Sequence, residues 1–139
     1  MGHNVIIIGG GQAGAMSAIG LRQHKYQGSI LLIAEEKYLP YQRPPLSKGY
    51  LTDQIKEKNL YLKSASYYKK NNIQIIKNKR VSQINKNKKS VVLNNDKEYY
   101  YEKLVITSGS ILNKINPSCN ENNLHYLRTL DDSNKIKLI

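Results

Sequence analysis

Three glycines at the spacing Gly9-x-Gly11-x-x-Gly14 are the residues of this chain best suited to chemistry with phosphate. A side chain at the first would obstruct a sharp turn, one at the second would hold the backbone away from a pyrophosphate, and one at the third would keep a helix off its neighbouring strand. Glu35 stands 21 residues beyond Gly14, where a carboxylate at a strand end can accept both hydroxyls of an adenosine ribose. One feature suits a diphosphate and the other a sugar, so together they suit a dinucleotide.

The elements around these residues must place them correctly. Val5 to Ile8 are four consecutive apolar β-branched residues, the pattern of a buried strand that runs straight into the glycine turn. An amphipathic helix follows from Gln12 to about His24, and its first amides and positive dipole end face an anion at the turn. A second apolar strand, Ser29 to Ala34, ends at Glu35. Short strands are expected at Ile73 to Ile76, Val81 to Ile84, Ser90 to Leu93, Glu98 to Tyr101 and Leu104 to Thr107, with turn residues between them. The three around residues 81–101 read as an antiparallel β-meander covering one face of a parallel sheet. The fold class is therefore α/β, a Rossmann-like βαβ unit with a parallel sheet and a small meander. Thr107-Ser108-Gly109 ends the last of these strands at the carboxyl edge of the sheet, where its backbone faces the same site.

Pro40, Pro44 and Pro45 break the chain after Glu35, and Pro45 suits the first turn of a short helix from Leu46. Lys48 then falls in that first turn, where a cation is electrostatically awkward unless an anion lies nearby. Lysine outnumbers arginine 18 to 4, so Arg43 marks a place where a planar bidentate fork is wanted; Arg22, on the first helix, reads as surface charge. Further on, Leu124 to Arg128 reads as a short strand, and Thr129 caps a helix with Asp131 and Asp132 in its first turn. No glycine caps that helix before Ile139, so the chain reads as the opening part of a longer one.

At 139 residues the chain is about one domain. It holds no run of 18 apolar residues to span a membrane and no signal-peptide pattern at its start, which makes the cytoplasm the default compartment. A single cysteine, Cys119, excludes an internal disulfide and a redox cysteine pair within the chain. The net charge of +12 admits a nucleic acid or an acidic protein as partner. Its lysines are scattered among Asn, Ile and Tyr, and the clusters Tyr67 to Lys70 and Lys86 to Lys89 read as a helix end and a solvated hairpin turn. A basic nucleic-acid-binding module and an NAD-binding Rossmann domain stand as the alternatives.

VIIIGGGQAGAMSA, LPYQRPPLSKGYL, KLVITSGS and HYLRTLDD, taken in that order, resemble the FAD-binding N-terminal part of the ferredoxin-reductase-like flavoproteins, which include putidaredoxin and rubredoxin reductases and the apoptosis-inducing factor. The resemblance implies that the turn, Gly9, Gly11, Gln12, Ala13 and Gly14, holds the FAD pyrophosphate and that Glu35 takes the ribose. It implies that Arg43, Lys48 and Arg128 contact the cofactor, with Lys48 near the isoalloxazine ring in the catalytic role, and that Val81 meets the adenine through its backbone. Thr107-Ser108-Gly109 stands where the family usually has Ala-Thr-Gly, and Thr107 and Gly109 are expected to keep backbone contacts. No metal ligand is implied. Where disulfide-reducing relatives carry a cysteine pair, this chain has Arg43 to Ser47. The implied activity is that of an FAD-dependent NAD(P)H oxidoreductase passing electrons to a small acidic iron–sulfur protein, a ferredoxin or rubredoxin. Residues 1–123 would form the FAD-binding portion, and 124–139 the approach to an NAD(P)-binding domain.

Overall fold

The computed structural model describes residues 2–115 and 124–139, and these fall into two compact units. The first comprises residues 2–41 and 62–109; the second comprises 42–61 with the described part of 110–139.

Unit 1 is a six-stranded mixed sheet with helices. Its strands are β1 (Gly2–Ile8), β2 (Ile30–Ile33), β3 (Ile73–Ile76), β4 (Val81–Asn85), β5 (Ser90–Leu93) and β6 (Glu98–Ile106), in the order β3-β2-β1-β6-β5-β4. β1 lies between β2 and β6 and runs parallel to both, with Ile8 opposite Ile33 and Ile106. Helices α1 (Gln12–Gln23) and α2 (Ala65–Lys70) provide the crossovers to β2 and β3. One face of the sheet, Val5, Ile7, Ile30, Leu32 and Ile73, packs with Ala18 of α1 and Tyr68 of α2.

The other face is covered by the meander, as its alternating pattern implies. Val91 and Leu93 of β5 share a cluster with Ile6, Leu31 and Ile33, and Val81 of β4 packs against it. The structure differs from expectation in one respect here. The strands expected at Glu98 to Tyr101 and Leu104 to Thr107 are one continuous strand, β6, ending at Ile106, because Glu98 to Tyr100 pair antiparallel with β5 while Tyr100 to Ile106 pair parallel with β1. The meander is thus hydrogen-bonded into the sheet that it also covers. Lys86 to Lys89 form the solvent-facing turn between β4 and β5, and Lys69 and Lys70 close the last turn of α2.

Arg22 is not idle surface charge. Its Nε donates to Asn71 O (2.7 Å), Nη1 to Tyr26 O (2.5 Å) and Gly28 O (2.9 Å), and Nη2 to Asn72 O (2.9 Å). Those carbonyls belong to the chain after α1 and the chain after α2, which a five-donor planar fork can gather and a lysine cannot.

In unit 2 the prolines produce a single 3₁₀ turn, Pro44–Ser47, and α3 (Leu130–Ile136) packs with it. The buried Ser133 hydroxyl donates to Leu46 O at 2.9 Å, and Tyr50 OH donates to Asn134 Oδ1 at 2.6 Å. Thr129 caps α3 as expected: its hydroxyl accepts from Asp132 N–H while Asp132 accepts from the Thr129 N–H, a complete capping box. Leu124 to Arg128 is not a strand. It has no sheet neighbour among the described residues, and the Arg128 N–H donates instead to the Asp132 carboxylate at 3.1 Å. Most of the polar stretch containing Cys119, and the boundary expected at residue 123, lie outside the described residues.

Candidate dinucleotide-binding site

The carboxyl end of β1 enters the glycine turn, and each glycine there answers to a different constraint. Gly9 has φ +110°, a backbone state that side chains disfavour, and a Cβ on it would stand 2.2 Å from Thr107 O. A Cβ on Gly14 would stand 2.0 Å from Gly9 O. These two glycines are demanded by the protein's own packing. Gly11 is not: its φ of −77° suits any residue, and a Cβ there would meet nothing within 4 Å.

Gly11 is also the N-cap of α1, with no side-chain hydrogen bond capping the helix and no acid in its first turn. The leading amides of Gln12, Ala13 and Gly14 are thus the unpaired donors of a twelve-residue helix. Open space at Gly11 in front of uncapped amides fits a diphosphate, whose oxygens need a close backbone and N–H donors.

The neighbouring strands hold this turn in place. Gly9 N–H donates to Ile33 O at 2.9 Å on one side, and Thr107 N–H donates to Ile8 O at 2.8 Å on the other. The Thr107 hydroxyl is committed as well, to Ile8 O at 2.7 Å and more weakly to Gly9 O at 3.3 Å. Thr107 therefore acts on the turn through its side chain, a role that strand patterning alone does not reveal. Gly109 has φ +70° and is exposed.

Glu35 directly follows Ala34, whose Cβ would be 2.4 Å from a Cβ placed on Gly10. The strand tip that bears the carboxylate thus abuts the glycine turn. Glu35 is exposed, and its Oε1 lies 3.6 Å from Arg80 Nη1. Val81, the first residue of β4, is half-buried opposite Leu93 at an irregularity in the ladder. Unit 1 accordingly brings together the turn, Thr107 and the tip of β2, with Arg80 beside Glu35.

Arg43, Lys48 and Arg128 belong to unit 2. Arg43 Nη1 donates to Arg128 O at 2.5 Å, and Arg128 Nη2 donates to Ser110 Oγ at 3.0 Å, so the two arginines tie the proline segment to the approach to α3. Lys48 is not in the first turn of a helix. It follows the 3₁₀ turn Pro44–Ser47, with its N–H donating back to Pro45 O at 3.0 Å. Two adjacent prolines start a tight turn that ends before an α-helical one is complete, so the helix-dipole argument for Lys48 does not hold. Its side chain is exposed and makes no hydrogen bond or ion pair among the described residues.

The model of the pyridine nucleotide-disulphide oxidoreductase family matches residues 3–139. The chain belongs to this family. Rubredoxin-NAD(+) reductase of Pseudomonas putida is 37% identical over 134 residues, which cover 96% of this chain and 35% of that protein. Among solved structures, a covalent putidaredoxin reductase–putidaredoxin complex superposes with TM-score 0.92 at 34% identity, covering 98% of this chain and 34% of the other. NADH:rubredoxin oxidoreductase of Clostridium acetobutylicum gives TM-score 0.89 at 35% identity, covering 99% and 35%. The chain spans about a third of the length of the curated relatives it matches. Within the family, then, these residues correspond to about a third of the relatives' length, and they contain the glycine turn, the strand-tip acid and the proline–lysine segment.

Proposed function

We propose that this chain is the FAD-binding portion of an NAD(P)H-dependent reductase that delivers electrons to a small acidic iron–sulfur protein of the ferredoxin or rubredoxin kind. The observation that carries the reading is Gly11: no feature of the protein's own packing requires a glycine there, while a diphosphate does. Amides of Gln12, Ala13 and Gly14 would hold the pyrophosphate above the open backbone of Gly11, and the Glu35 carboxylate would accept the ribose hydroxyls. Val81 would meet the adenine through its backbone, and Thr107 and Gly109 would contribute backbone along the same edge. Arg43 and Arg128 would contact the cofactor, and Lys48, with an ammonium free of protein partners among the described residues, would offset negative charge gathered on the reduced ring.

Flavin, when bound, would supply two-electron acceptance from NAD(P)H and one-electron release to the partner. Without a cysteine pair in Arg43 to Ser47, the chain's own residues provide no disulfide route for those electrons. The charge of +12 suits steering of an acidic partner. Residues 1–123 would serve the flavin and 124–139 lead toward nicotinamide-binding chain; the cytoplasm, where NAD(P)H is supplied, is the expected compartment. Among the described residues no helix is long and apolar enough to cross a membrane.

The test is a titration of purified protein with FAD. A red-shifted absorption band and quenched fluorescence are expected, and failure of both this chain and its longer native form to take up flavin would reject the proposal. Extraction and mass spectrometry of the bound nucleotide distinguishes FAD from NAD.

A further inference from the structure

Four arginines stand in this lysine-rich chain; Arg22 and Arg43 donate to backbone carbonyls and Arg128 to the Ser110 hydroxyl. The fourth, Arg80, has a side chain 68% exposed, and so has Glu35, its one ion-pair partner among the described residues, at 3.6 Å. A pair so open to water adds little to the stability of the fold. The backbone beneath it is nevertheless firmly held. Asn78 N–H donates to Glu36 O (3.1 Å), Lys79 N–H to Ala34 O (3.0 Å) and Asn94 N–H to Arg80 O (2.8 Å). The cation and the carboxylate therefore stand on docked segments, beside the Ala34 against which the glycine turn packs.

We propose that Arg80 is a positioning residue for the adenosine end of the dinucleotide, holding the Glu35 carboxylate for the ribose and, with it, reading the ribose 2′ position. This rests on the dinucleotide reading given above. A guanidinium on Oε1 restricts the rotation of the Glu35 side chain and leaves Oε2 to accept a ribose hydroxyl. A carboxylate at this place repels a 2′-phosphate, whereas an arginine attracts one. Glu35 thus sets the preference for a 2′-hydroxyl, and Arg80 is the cation that its removal would uncover.

The experiment compares wild type, Arg80→Ala, Arg80→Lys, Glu35→Gln and the Arg80→Ala/Glu35→Gln double variant by flavin-fluorescence titration, with adenosine 2′,5′-bisphosphate as competitor. Arg80→Ala is expected to weaken FAD binding three- to tenfold, with partial recovery in Arg80→Lys and no further loss when added to Glu35→Gln. Glu35→Gln is expected to strengthen the bisphosphate at least fivefold, a gain that the double variant loses. FAD affinity unchanged in Arg80→Ala, or a bisphosphate gain that survives removal of Arg80, overturns this assignment while leaving the dinucleotide reading intact. Absence of flavin uptake by both this chain and its longer native form overturns both.

Discussion

Replacing Gly11 and Gly14 separately by alanine distinguishes a glycine kept for a ligand from one kept for packing. At Gly11 the backbone, φ −77° and ψ −173°, is open to alanine, and the new methyl meets nothing within 4 Å. Alanine is a poorer N-cap than glycine by at most about 1 kcal/mol, and its stiffer unfolded chain returns about 0.4–1 kcal/mol. The net change in stability is therefore near zero. In the complex the same methyl would stand where a phosphate oxygen approaches. Losing one hydrogen bond to a charged group costs about 1.5–3 kcal/mol, or roughly 10- to 150-fold in Kd. At Gly14 the methyl would lie 2.0 Å from Gly9 O and 2.8 Å from Thr107 Oγ1, and forcing that space costs about 3 kcal/mol of fold stability. Thermal unfolding followed by circular dichroism, paired with FAD titration, reads both quantities. Gly11→Ala should melt like wild type and bind flavin weakly, while Gly14→Ala should melt early. A Gly11→Ala protein that keeps wild-type affinity, or one that unfolds as readily as Gly14→Ala, refutes the reasoning.

Three further outcomes are expected. Arg22→Lys should lower stability by about 2–4 kcal/mol in urea titration, because a point charge cannot replace a fork bonded to four carbonyls. Burial, and then the nearby chain terminus, hold the His3 pKa below its ordinary 6.5, and neither ring nitrogen has a hydrogen-bond partner among the described residues. The unfolded chain then takes up a proton that the folded one refuses, so stability should decline as the pH falls below about 6.5, and His3→Phe should flatten that part of a pH–stability curve. Asp132 is opposed by burial but held below its usual carboxylate range by hydrogen bonds from the Thr129 side chain and the Thr129 and Arg128 amides. Its contribution is present above about pH 4 and fades as the carboxylate protonates, and Thr129→Ala should cost about 1 kcal/mol in thermal unfolding through loss of the cap.

Local chemistry was legible in the residues themselves. The β-branched run before Gly9, the glycine spacing, the acid at the tip of the second strand and the Thr129 cap each depend on neighbours a few positions away, and the structure places all four as their types imply. Tertiary pairing decided the rest. β6 became one strand because β1, distant in sequence, and β5, its hairpin neighbour, both supply it with hydrogen bonds, and Leu124 to Arg128 stayed irregular, with no strand among the described residues to pair with it. Arg22 became a staple only once the ends of α1 and α2 met. Thr107 lost its hydroxyl to the carbonyls of Ile8 and Gly9, and Arg80 met Glu35 because two loops docked at adjacent strand tips. Periodicity and propensity encode contacts close along the chain. Which distant donor finds which acceptor is determined only when the sheet has closed and the buried carbonyls must each be satisfied.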